Sequence, residues 1–130
     1  MRIPFVLLPP AFSGDVHRHR WDGRVLAAGI DPYRHEPADP RLSRFVDADA
    51  RKINHPGVPT VYGPLAQDLL ALLARSPARA SLTSIKAMAG AFDLVAVGAL
   101  WTLGLTTGAG TLPALAYALH PLAVIETAGE

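Results

Sequence analysis

Ala87-Met-Ala-Gly-Ala-Phe-Asp-Leu-Val-Ala-Val-Gly-Ala-Leu-Trp-Thr-Leu-Gly-Leu105 runs for 19 residues with one charge, Asp93. With its flanks it reaches the roughly 20 apolar residues that cross a bilayer as a helix. Thr106-Thr-Gly-Ala-Gly110 reads as a tight turn. Thr111 to Ala128 is a second apolar stretch, broken by His120-Pro121 and carrying Glu126 near its end. The pattern predicts two membrane helices, over 84–105 and 111–127, paired as a hairpin within 82–128.

The charge distribution points the same way. Residues 1–79 hold 11 of the 12 basic residues and 8 of the 11 acidic ones, and 80–130 hold only Lys86, Asp93, Glu126 and Glu130. A soluble helical domain keeps a charged face along its length. A small buried core would also look apolar, but lipid replacing water explains a nearly uncharged run better. Half the chain is apolar and only 18% is charged, against roughly 25% in an ordinary soluble domain.

Other function classes fall away on composition. At 130 residues the chain makes at most one ordinary domain. Its net charge of +1 gives no excess of base to neutralise phosphates, so nucleic acid is not an expected partner. The absence of cysteine removes disulfides, thiolate metal sites and cysteine nucleophiles. There is no Gly-x-Gly-x-x-Gly, P-loop or Gly-x-Ser-x-Gly motif. No cofactor is expected.

Upstream, Ile3 to Phe12 is apolar but too short to span, and it holds three prolines. Residues 1–12 read as the exit end of a first membrane helix. Residues 13–63 form a polar, proline-punctuated loop with one short helix near 15–28, which Asp15 would cap and Gly29 would end. Another helical turn or two fits between Asp39 and Ala50. Pro64 suits the first position of a helix running to about residue 76. At about 18 Å that helix falls short of the roughly 30 Å hydrocarbon core, so it should lie at the membrane surface.

The densest polar cluster is Ser13-Gly-Asp-Val-His-Arg-His-Arg-Trp-Asp-Gly-Arg24. His17 and His19 suggest a metal pair on a strand, but on a helix His-x-His points its rings to opposite sides. Arg18, Arg20 and Arg24 suit an anion, since guanidinium groups clamp phosphate bidentately. A solvated helix with local ion pairs is the plainer explanation. Asp15, at the end of an apolar segment, is either a helix cap or a general base for a hydroxyl. In Lys52-Ile-Asn-His-Pro-Gly-Val-Pro-Thr-Val-Tyr-Gly-Pro-Leu-Ala-Gln67, Asn54 and His55 offer hydrogen bonds and Tyr62 can stack on a sugar or anchor at an interface. A rigid proline-rich connector is the alternative. Asp93 within an apolar helix suits a helix–helix hydrogen bond.

In order, these segments resemble bacterial polytopic glycosyltransferases of the GT-C class, and most of all the mannosyltransferase-like members that use a polyprenyl-phosphate sugar donor. The resemblance rests on Asp15-Val-His-Arg-His-Arg-Trp-Asp-Gly-Arg-Val25, Ala28-Gly-Ile-Asp-Pro-Tyr33, Ile53 to Gln67, and Leu119 to Glu130. It covers most of the chain. It implies an all-α membrane protein whose residues 13–63 are an extracytoplasmic loop, with the catalytic carboxylate of the family at Asp15. The substrate contacts it implies fall among Arg18, Arg20, Trp21, Asp22, Arg24, Asn54, His55 and Tyr62. The implied partners are a polyprenyl-phosphate sugar, with mannose as the sugar, a lipid or glycan acceptor, and the bilayer itself. Two departures stand out. The family often has tyrosines where this chain has His17 and His19, and two prolines where it has Gly63-Pro64.

Such enzymes carry around ten or more membrane helices, so the chain reads as an N-terminal piece of a larger enzyme, inactive alone. The competing reading is a small non-catalytic membrane protein or accessory subunit. The two sources of topology disagree over residues 75–86. Arg75, Arg79 and Lys86 place them in the cytoplasm by the positive-inside rule, whereas the family order leaves them outside. The helix from Pro64 is too short to cross, which favours the family order.

Overall fold

The computed structural model describes residues 14–76 and 81–123. The expected membrane exit at 1–12, together with Glu126 and the end of the second apolar stretch, lies outside the described residues. Among the described residues the chain is all-helical, with no strand. It divides into two compact units, one of residues 13–85 and one holding residues 86–130.

The first unit opens with α1, Asp15–Ala27. The cap is Gly14, with no side-chain bond, and Asp15 is the first helical residue. The expected capping role of Asp15 is therefore corrected. Its carboxylate instead favours the positive end of the helix dipole from within the first turn. Gly29 ends α1 as expected, at φ +78°. Its N–H reaches the Leu26 carbonyl at 2.9 Å, and the Ile30 N–H reaches the Val25 carbonyl at 3.1 Å. This is a Schellman closure, completed by Ile30 packing on the core that holds Val25.

Two short 3₁₀ turns follow, Pro40–Phe45 and Ala50–Lys52. Asp39 caps the first by accepting from the Arg41 N–H at 3.0 Å. The core of this unit joins Trp21 and Val25 of α1 to Leu42, Ala50 and Ile53. α2, Pro64–Ala74, starts at its proline as the sequence predicts. One face, Gln67, Leu70 and Ala71, is buried, while Leu65 and Leu72 stay exposed.

The α1–α2 contact depends on Gly23. A Cβ there would lie 2.6 Å from the Leu70 carbonyl oxygen and 2.8 Å from its carbon. Any larger residue would push the two helices apart.

α3, Leu82–Thr106, is a 25-residue helix. It is the one described helix long and apolar enough to cross a membrane. Its surface is inverted relative to a soluble helix. Lys86, Gly90, Asp93 and Gly104 are buried, whereas Phe92, Leu94, Val95, Trp101, Leu103 and Leu105 are exposed. A turn with positive φ at Gly108 and Gly110 follows. The Gly110 N–H reaches back to the Gly104 carbonyl at 2.9 Å. A Cβ on Gly104 would collide with the Gly110 carbonyl oxygen, so glycine is needed there.

α4, Leu112–Ala118, has seven residues and is too short to span. It stops where Pro121 disfavours helical geometry at His120. Helix resumes over residues 121–123, at the edge of the described residues. Among the described residues there is thus one spanning-length helix, where the sequence predicts two.

Candidate functional site

The site begins at the first turn of α1. Gly14 lets the chain after the second 3₁₀ turn come close, for a Cβ there would lie 2.8 Å from the Asn54 amide nitrogen and 3.2 Å from the Lys52 carbonyl. This brings Asn54 and His55 beside Asp15, although some forty residues separate them in sequence. His55 adopts a left-handed backbone, φ 53°, just before Pro56. Such a conformation is uncommon for a side-chain-bearing residue and gathers at functional sites.

A cleft of about 290 Å³ results, and Asp15, Arg18, Asn54, His55 and Tyr62 all line it. Val58, Pro59 and Val61 supply its apolar wall. Five of the residues singled out in the sequence, drawn from two distant segments, therefore share one cavity.

Tyr62 is held from three sides. Its carbonyl accepts from the Tyr33 hydroxyl at 2.7 Å. Its ring packs 4.3 Å from that of His19. Its hydroxyl hydrogen-bonds to Asp15. Burial, then the charge and hydrogen bond of Asp15, push the phenol up to about 12. Tyr62 therefore stays protonated and donates to the carboxylate. Burial likewise holds His19 below its usual range, against the pull of Asp22 and Asp15. The imidazole is neutral at pH 7.

Arg18 is more than nine-tenths buried. Its Nε donates to Asp22 Oδ1 at 2.8 Å, and its guanidinium carbon lies 5.8 Å from the centre of the Trp21 ring. Its Nη2 is buried with no acceptor among the described residues. A buried charged donor left without an acceptor is costly. At the edge of a cleft it is a place for an anionic oxygen.

The other sequence candidates lie elsewhere. Arg20 and Arg24 each donate to Asp47 Oδ2 at 2.6 Å, and neither lines the cleft. Burial favours the neutral Asp47 acid, but the hydrogen bonds from Arg20 and the Ala50 N–H, with the charges of Arg20 and Arg24, bring it down to about 2. Trp21, 1% exposed, belongs to the core. Asp22 is fully buried, its oxygens taken by Arg18 and Gln67. His17 and His19 diverge as a helix requires. His17 faces Asp49, with Nδ1 3.5 Å from a carboxylate oxygen, while His19 faces Tyr62.

Sequence reading missed Gln67 and Thr60. Gln67 Nε2 donates to Asp22 Oδ2 at 3.0 Å and to Thr60 Oγ1 at 2.9 Å, all within the interior. An amide on the third position after the proline, in a helix whose other polar residue is the exposed Asp68, was the available signal.

The model of the alpha-(1->6)-mannopyranosyltransferase N-terminal domain matches residues 2–128. The chain belongs to that family. No curated protein and no solved structure matches it. A mannosyltransferase family implies a sugar donor and an acceptor. The cleft at the head of α1 brings together a carboxylate, a buried arginine and hydrogen-bonding side chains.

Proposed function

We propose that the chain is part of an integral membrane mannosyltransferase of the GT-C type, and that the cleft at the head of α1 takes a polyprenyl-phosphate mannose. The carrying observation is the convergence of Asp15, Arg18, Asn54, His55 and Tyr62 on one cavity. Asp15 Oδ accepts the proton of an acceptor hydroxyl as that oxygen bonds to the anomeric carbon. The bond from the anomeric carbon to the phosphate oxygen breaks, and polyprenyl phosphate leaves with the electron pair. Attack opposite the leaving group inverts the anomeric centre. Arg18 Nη2, the donor without an acceptor among the described residues, holds the departing phosphate. Tyr62 keeps Asp15 aimed, and Asn54 and His55 bind sugar hydroxyls.

The surrounding membrane fits this reading. The outward apolar surface of α3 suits lipid, and Leu65 and Leu72 on the exposed face of α2 suit an interface. The second membrane helix of the hairpin, expected over 111–127, is part of this reading. Residues 13–63 then face the extracytoplasmic side, where a lipid-linked sugar is met. In this reading the 130-residue chain lacks the later helices that enclose the donor, and is inactive alone.

The test is transfer of mannose from a polyprenyl-phosphate donor by membranes carrying the full-length enzyme. Asp15→Asn keeps the size of the side chain but removes the proton acceptor. Turnover should drop by a factor of about 10²–10⁴. Asp68→Asn, on the exposed face of α2, should leave turnover unchanged. Near-normal transfer by the Asp15 variant, or transfer by the purified 130-residue chain, overturns the assignment. The first result would mean that another group takes the acceptor proton, whereas no transfer by the unaltered protein would point to a non-catalytic membrane subunit.

A further inference from the structure

Gln67 is hard to explain as a packing residue. It sits on the buried face of an apolar helix, 1% exposed, where leucine would fill the space. Its Oε1 has no partner among the described residues, a cost that an apolar side chain would avoid. What the amide provides is a two-pronged donor. One N–H reaches Asp22 Oδ2 at 3.0 Å and the other reaches Thr60 Oγ1 at 2.9 Å.

Each prong leads to one wall of the cleft. Asp22 Oδ1 accepts from Arg18 Nε at 2.8 Å, so fixing Asp22 fixes the guanidinium. Thr60 stands two residues before Tyr62, whose N–H lies 3.4 Å from Thr60 Oγ1. Tyr62 in turn bonds to Asp15. We propose that Gln67, acting through Asp22, is a positioning residue that holds Arg18 for a phosphate and ties it to the Tyr62–Asp15 wall. Neither Gln67 nor Asp22 touches substrate, since both are buried. The proposal rests on the reading of Arg18 above and deepens it.

The experiment is titration of the purified full-length enzyme in mild detergent with a short-chain polyprenyl phosphate, followed by calorimetry, and the uncharged polyprenol of equal length is the blank. Gln67→Leu keeps the packing and removes both donors. The dissociation constant should rise about tenfold or more. Asp22→Asn sets an amide against the Gln67 amide and should weaken binding similarly. The double variant Asp22→Asn with Gln67→Glu exchanges carboxylate and amide. Arg18 keeps an acceptor, the Asn amide donates to the new carboxylate, and the net charge is unchanged. Binding should return to within about threefold of the parent, as coupled neighbours allow.

A merely structural role would lower the yield of folded protein without this recovery. If Gln67→Leu does not fold, the Asp22→Asn single and the exchange decide the matter alone. Overturning results are wild-type protein that does not bind the phosphate, a folded Gln67→Leu that binds normally, or an exchange that restores nothing. Binding that responds to Gln67 without any sugar transfer defeats the proposed activity and leaves this inference standing. Asp15-dependent transfer with binding indifferent to Gln67 does the reverse.

Discussion

Replacing Gly23 with alanine tests the α1–α2 contact on which the cleft depends. The new Cβ would sit 2.6 Å from the Leu70 carbonyl oxygen, where ordinary contacts begin near 3.4 Å. Because the obstacle is backbone, α2 must retreat by about 0.8 Å. Moved rigidly, that retreat stretches the Gln67–Asp22 bond from 3.0 Å towards about 3.8 Å, past hydrogen-bonding range. Alanine gains about 1 kcal/mol in helix propensity. Against this stand about 1–3 kcal/mol of overpacking and about 1.5–3 kcal/mol for the bond to a buried carboxylate. The net loss is about 1.5–5 kcal/mol. For a unit of this size the melting midpoint should fall by at least about 6 °C. The assay is thermal unfolding in mild detergent, read from Trp21 in a Trp101→Phe background. Gly63→Ala is the comparison, because a Cβ there meets nothing within 4 Å. Adding Leu70→Ala should not relieve the damage, since the clash is with main chain. A Gly23→Ala protein as stable as its parent would refute the close approach.

Asp47 should give the first unit an acid-sensitive component. Its folded carboxyl is depressed to about 2 from an ordinary 3.8, so the stability it adds is complete above about pH 4 and is lost as pH falls towards 2. Asp47→Asn should flatten the pH dependence of unfolding in that window, and an unchanged acid limb would count against the pairing with Arg20 and Arg24. The apolar stretch of α3 should hold the chain in the membrane pellet after carbonate extraction. Arginine at Val95, on the exposed face near the helix centre, carries an insertion cost of about 2.5–3.5 kcal/mol and should move protein to the supernatant. Soluble recovery of the unaltered chain would sink the lipid reading of α3.

Local signals in the sequence translated well into local structure. Pro64 opens α2 because its fixed φ suits a first helical position and its missing N–H is not needed there. Gly29 closes α1 because glycine takes positive φ without strain. The break at His120-Pro121 was equally visible, and it leaves α4 short. What composition could not show was pairing over distance. Arg18 and Asp22 stand four apart, a spacing that reads as a helical ion pair. Nothing in a one-dimensional pattern says that Gln67, 45 residues on, completes it. Nor did the run of arginines reveal that only Arg18 turns to the cleft while Arg20 and Arg24 share Asp47. The carboxylate Asp47 that draws them away lies more than twenty residues from either.

Trp21, Asp22, Gly23 and Arg24 are consecutive, yet each serves a different neighbour: the core, the Arg18 guanidinium, the backbone of α2, and Asp47. An activity-only mutational scan of residues 15–24 would therefore return an almost unbroken run of sensitive positions and draw an active site far larger than the cleft. Scoring the amount of folded protein alongside turnover would split that run. Trp21, Gly23 and Arg24 should lose both together, whereas Asp15 should lose turnover at full abundance. Such a tetrapeptide, used as a fingerprint, would identify chains that share this scaffold and say nothing about which sugar they carry.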